Sequence, residues 1–289
     1  MNNPRTILVA LRDPETAGSA LARASQLARP GDTVAFIHVA RANLFTLLGA
    51  GELRHAMPDT SLRELTAAAW LDELKSSPIF APGVRLESDT LSGNPGEAIG
   101  EYARRTGASV IVTAAPRLGV LHEYFLGSTA LGILRHAPCP VLVARAVEAK
   151  AWRSVAAAID LDAAGERVLA AVHSLLADSA LTLLHSYRVP NESLLRTTGL
   201  AEDTLAGLRQ QMRLDVEQRI KPFHALAPAA SIRIQEGYAA PAILELVSAE
   251  QPDLLALSQH RGSAREQRII GSVTQYLLYK CPCDLLLVP

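Results

Sequence analysis

The sequence predicts an α/β chain of two similar halves, each a doubly wound domain around a five-stranded parallel sheet, and three observations predict it. A closing phrase is written twice, as LGSTALGILRHAPCPVLVAR at 126–145 and IGSVTQYLLYKCPCDLLLVP at 270–289. Gly127, Ser128, Leu134, Pro138, Cys139 and Leu142 recur 144 residues later as Gly271, Ser272, Leu278, Pro282, Cys283 and Leu286. Within each half, apolar runs of strand length alternate with segments whose apolar residues recur at helical spacing. The strands are also apolar throughout, as strands are when helices cover both faces of a parallel sheet. A length of 289 residues at 49% hydrophobic content fills two cores of ordinary size.

In the first half, TILVAL (6–11) is a buried strand, and Asp13-Pro14 starts a helix over about 14–28 that Pro30-Gly31 stops. TVAFIHV (33–39) is the second strand. The stretch 41–59, with Gly49, Gly51, Pro58 and Asp59, reads as an irregular excursion, and helix returns over about 60–76. VRLESDT (84–90) is the third strand. Pro95 then opens a helix whose stripe is Ala98, Ile99, Tyr102 and Ala103. ASVIVTA (108–114) is the fourth strand. After a loop, Gly127 opens the last helix, with Ala130, Ile133, Leu134 and Ala137 on one face, and Pro138 and Pro140 end it before the strand VLVA.

The second half repeats the order, with strands at 155–159, 181–186, 231–235, 253–258 and 284–288. Ala242, Ile243, Leu246 and Val247 mirror the 98–103 stripe, and the histidine near the end of the second strand recurs as His38 and His185. The domains are placed at 1–146 and 152–289, because the segment between them lacks strand character. The last strand of each half, 141–144 and 285–288, would leave an apolar sheet edge exposed. Pairing the two with each other makes an internal pseudo-dimer and leaves a further homodimer open.

Composition excludes several classes of function. With 28 basic and 29 acidic residues the net charge is -1, so no broad field would gather nucleic acid or an anionic membrane. The first apolar run meets Arg12 and Asp13 before any cleavage site, and no stretch approaches the roughly 18 apolar residues of a membrane span. A soluble, cytoplasmic protein is expected. Cys139, Cys281 and Cys283 are too few for a disulfide framework and fit a reducing compartment. Cys281-Pro282-Cys283 has one intervening residue where a zinc pair usually has two, so no metal is expected.

In an open parallel sheet, ligands bind beyond the carboxyl ends of the strands where the winding reverses. Neither a P-loop nor a dinucleotide fingerprint follows any strand here. The local candidate is the helix opening Gly271-Ser272-Val273, with Gly127-Ser128 as its weaker counterpart. A helix start offers unpaired N–H groups and a favourable dipole to an anion, and glycine lets a phosphate approach. Serine as an ordinary helix cap is the other reading.

The order of elements, Asp160 closing the first strand of the second half, the strand-final histidines, and G-S followed by A-P-C-P-V-L-V-A-R at 137–145 together resemble the universal stress protein family, once per half. That resemblance implies Rossmann-like sheets of strand order 3-2-1-4-5 and a stress-response regulator. It also implies ATP or AMP, held in nucleotide-binding members by G-x2-G-x9-G-[ST] after the fourth strand and an Asp after the first. Here the first two glycines of that motif fall on Ala114 and Arg117 in one half and on Ser258 and Arg261 in the other.

Arg117 and Arg261 either pair with phosphate or lie solvated. Arg12 stands where Asp160 stands, with Asp13 displaced by one. A carboxylate accepts ribose hydroxyls and a guanidinium accepts nothing, so the second half is the nucleotide candidate. His260 and Gly262 belong to its loop. No nucleophile–base pair recurs in both halves, and no efficient enzyme is expected. The competing readings are an interaction scaffold without nucleotide, its Gly-Ser pairs being caps, and a cleft for another, lipid-like ligand through Leu44, Phe45, Leu47 and Leu48.

Overall fold

The structure is a computed structural model that describes residues 4–40, 59–115, 127–145, 150–259 and 270–289. The first half runs β1 (Thr6–Ala10), α1 (Pro14–Leu27), β2 (Thr33–Ala40), α2 (Asp59–Leu74), β3 (Arg85–Ser92), α3 (Pro95–Thr106), β4 (Val110–Ala114), α4 (Ser128–His136) and β5 (Val141–Ala144). The second half opens with β6 (Ser154–Ala158), α5 (Ala163–Leu175) and β7 (Ala180–Tyr187). Three helices follow, α6 (Glu192–Thr197), α7 (Glu202–Arg219) and α8 (Lys221–Leu226). It closes with β8 (Ser231–Glu236), α9 (Ala239–Glu250), β9 (Leu254–Ser258), α10 (Ser272–Lys280) and β10 (Asp284–Val288).

Among the described residues ten strands join one sheet in the order β3-β2-β1-β4-β5-β10-β9-β6-β7-β8. Each half is therefore parallel and ordered 3-2-1-4-5, as the resemblance implies. The halves meet where β5 and β10 pair antiparallel, with Leu286 opposite Leu142.

Helices cover both faces. Ile7, Val9, Val155 and Ala157 point to the side holding α1, α2, α5 and α8, while Leu8, Ala10, Ala156 and Leu255 point to the side holding α3, α4, α9 and α10. Both cores run unbroken across the seam, since Leu142 and Leu286 belong to one and Val141, Val143, Leu285 and Leu287 to the other. Each such leucine contributes about 1.5–3 kcal/mol on full burial.

β3 and β8 depart from the expectation of strands apolar throughout. As the outermost strands they have one unpaired edge, and they alternate exposed polar residues such as Glu87, Asp89 and Arg233 with half-buried Leu86 and Ile232. Charge at an open edge discourages pairing with other chains.

A buried polar clamp holds the seam from the side. The Asp284 carboxylate accepts the backbone N–H of Arg145 at 2.7 Å and the indole N–H of Trp152 at 3.0 Å, and it pairs with Arg23 Nε at 2.6 Å. The Arg23 guanidinium also lies over the Trp152 ring, 4.6 Å from its centroid. The Arg145 guanidinium donates to the carbonyls of Leu278 and Cys281.

Candidate functional site

The domain 2 cleft lies at the carboxyl ends of β6 and β9 and encloses about 300 Å³, with Asp160, His185, Ser258, Gly271, Ser272 and Val273 among its lining. Asp160 follows β6 in a loop fixed at two points. His185 Nδ1–H donates to the Ile159 carbonyl at 2.9 Å, and α5 packs so tightly that a Cβ on Gly165 would stand 2.1 Å from the Asp160 carbonyl oxygen. Only glycine fits there. The Asp160 carboxylate accepts the Ser258 hydroxyl at 3.2 Å, so the sequence-predicted pair meets at the cleft.

The facing wall is the start of α10. Gly271 occupies the cap position, donating its own N–H to the Gln259 carbonyl at 3.1 Å, and among the described residues no side chain caps the N–H groups that follow. Thr274 Oγ1 donates to the Ser258 carbonyl at 3.0 Å and so clamps the helix start against the end of β9. The serine-cap reading is thereby corrected: Ser272 and Ser128 are the first helical residues, and the caps are glycines without a capping side chain. Gly271 adopts φ -60 and ψ 149, open to any residue, and against the described residues a Cβ there would make only ordinary contacts, at 3.5 Å to the Gln259 oxygen and 3.8 Å to Thr274 Oγ1. Neither backbone geometry nor crowding calls for glycine at this position.

Domain 1 has a matching cleft of about 310 Å³, lined by Arg12, Thr16, Thr113, Gly127 and Ser128 among others. Arg12 pairs with Asp13 at 2.7 Å. Asp13 is not the displaced counterpart of Asp160. Its carboxylate caps α1 by accepting from the Thr16 N–H, as Asp162 caps α5 through Ala164. Burial pushes the Asp13 carboxyl up, but the bonds from Arg12 and Thr16 outweigh it and hold it below the usual range. The His38 Nδ1–H donates to the Leu11 carbonyl at 3.1 Å, so both strand-final histidines tie the loop after the first strand to the second strand.

Asp160, Ser258, Gly271, Ser272 and Val273 therefore share one cleft, and Gly127 and Ser128 share the other. Arg117, His260, Arg261 and Gly262 lie outside the described residues, as do Leu44, Phe45, Leu47 and Leu48. Sequence reasoning missed Gly165 and Thr274. A small residue in the first turn after the strand 1 loop, and a hydroxyl two positions past Gly-Ser, were the available signals. Among the described residues no group of three or more His, Cys, Asp or Glu side chains is placed to hold a metal. No helix among them is long and apolar enough to cross a membrane.

A sequence model of the universal stress protein family matches residues 3–145, and matches again at 151–289. The chain belongs to the universal stress protein family, as a tandem member. Among solved structures, a universal stress protein from Archaeoglobus fulgidus DSM 4304 superposes with a TM-score of 0.72 at 15% identity, covering 98% of this chain and 97% of that one. A functionally unknown protein from Pseudomonas aeruginosa PAO1 gives a TM-score of 0.62 at 19% identity, covering 99% and 92%. At such identities the likeness is one of fold, and it extends over both domains of this tandem universal stress protein.

Proposed function

We propose that this universal stress protein is a cytoplasmic stress-response regulator that binds an adenine nucleotide, ATP or AMP, in the domain 2 cleft, without efficient turnover. One observation carries the reading: among the described residues no side chain caps the helix that starts at Gly271 and none crowds that position, which faces an Asp160 carboxylate across the cleft. A bare helix start suits phosphate, and a carboxylate suits ribose hydroxyls. Domain 1 keeps the helix start but presents Arg12 in place of the carboxylate, which disfavours the sugar end of the same ligand.

The test is thermal unfolding in millimolar ATP or AMP, together with native mass spectrometry of gently purified protein. A ligand at 100 times its Kd stabilises the native state by about 2.7 kcal/mol. Asp160→Ala should abolish the shift in melting temperature, and Arg12→Ala should leave it. The reverse result would move the site to domain 1. No shift and no carried nucleotide would favour the scaffold reading.

A further inference from the structure

We propose that Cys281 and Cys283 form a redox modification site, a dithiol that closes reversibly to a disulfide at the expense of a low-molecular-weight disulfide such as oxidised glutathione. The two sulfurs lie 3.4 Å apart on the connection between α10 and β10, and both thiols are free. A disulfide needs about 2.05 Å, so bond formation calls for the two sulfurs to draw closer within this one short segment.

The two cysteines differ in exposure, which sets the order of exchange. Cys283 is partly exposed and Cys281 is fully buried. The Cys283 thiol, donating to its neighbour, holds Cys281 below the usual cysteine range against the opposing pull of burial. The same contact, with burial, pushes Cys283 well up. Cys283 Sγ, on the more exposed of the two residues, gives up its proton and attacks the small disulfide, forming a mixed disulfide, and the proton leaves on the small thiol released. Cys281 Sγ then attacks Cys283 Sγ, the intramolecular bond forms, and the second small thiol leaves with the remaining proton. The protein loses two electrons and two protons, and the small disulfide gains both.

A loop of three residues removes little freedom from the unfolded chain, so the bond adds little to stability. A bond of that kind is a labile one rather than a structural staple. Its position makes it consequential. The Cys281 carbonyl accepts from Arg145, and Asp284, next after Cys283, is the centre of the seam clamp. Domain 1 carries an internal control, since Cys139 aligns with Cys283 but Ala137 aligns with Cys281. Cys139 is buried, which pushes its thiol up to about 12, and with alanine at 137 it has no second thiol beside it to complete an exchange.

The experiment equilibrates the full chain in glutathione buffers of graded oxidised fraction, quenches in acid, alkylates after unfolding and weighs the peptides. The peptide holding Cys281 and Cys283 should become unalkylated and two hydrogens lighter as the oxidised fraction rises, and dithiothreitol should reverse this fully. Cys139 should stay alkylatable throughout. Cys283→Ser should keep Cys281 reduced at every ratio, with circular dichroism confirming the fold; if that variant fails to fold, the wild-type titration decides alone. A stable glutathione adduct on Cys283, thiols that stay reduced at every ratio, or protection that a chelator removes would each overturn the proposal.

Discussion

The two clefts occupy matching places and enclose nearly equal space, about 310 Å³ in domain 1 and about 300 Å³ in domain 2, yet among the described lining residues one presents a guanidinium where the other presents a carboxylate. Where domain 2 sets Asp160 against Ser258, domain 1 sets Arg12, turned toward Asp13, beside Ala114. The shared elements are scaffold: a strand end, a histidine side chain bonded to the loop carbonyl, and a glycine-capped helix start. Volume and scaffold therefore say where something could bind, and two or three side chains decide what.

The largest expected effect tests how unequal the halves are at their junction. Asp284 aligns with Pro140, which has no carboxylate. Asp284→Ala takes the counter-charge from buried Arg23 and the acceptor from the Trp152 indole, and should cost about 3–5 kcal/mol in urea unfolding; a loss under about 1 kcal/mol would mean that apolar burial alone holds the seam.

Ahead of the second strand of each half, domain 1 uses a carboxylate and domain 2 a hydroxyl. Asp32 accepts the Arg5 guanidinium at 2.8 Å, whereas Ser179 donates to the Trp152 carbonyl at 2.6 Å. Burial pushes the Asp32 carboxyl up, but the bonds from Arg5 and Arg29 prevail and its pKa is lowered. Its contribution is thus complete above the unfolded value near 3.9 and is lost as pH falls through the lower folded value. Asp32→Asn should cost about 1.5–3 kcal/mol at neutral pH, and stability measured against pH should fall less steeply in acid than for the wild type.

Gly165→Ala should cost about 1–3 kcal/mol by forcing the Asp160 loop aside, and should weaken any ATP-induced shift in melting temperature. The same turn of α1 already carries Thr16 and Ala17, so domain 1 does not depend on this approach. The smallest change in stability discriminates most sharply. Gly271→Ala should alter unfolding by no more than about 0.5 kcal/mol, yet remove the nucleotide response; an unaltered response would leave the glycine without a ligand-related role.

Most of the architecture was readable because its signals are local. Uniform apolar runs gave β1, β4, β6 and β9, while the Asp13-Pro14 pair and Pro95 marked the starts of α1 and α3. The repeated closing phrase identified β5 and β10 as exposed edges needing cover. What escaped depends on residues distant in sequence. In α7 only Leu205 and Val216 are buried, too thin a stripe to announce its packing. Arg209 fixes it through Glu192, Glu202 and Glu236, partners spread over two helices and a strand. The Asp160 loop is likewise held by Gly165 and His185, whose roles arise only from close approach in three dimensions.

Because β5 and β10 run in opposite directions, the carboxyl ends of the strands in one domain lie beside the amino ends in the other. The two clefts consequently open from opposite rims of the molecule. Occupants of the two would never touch, and any influence of one on the other has to be transmitted mechanically through the central strand pair and the Arg23–Asp284–Trp152 cluster beside it.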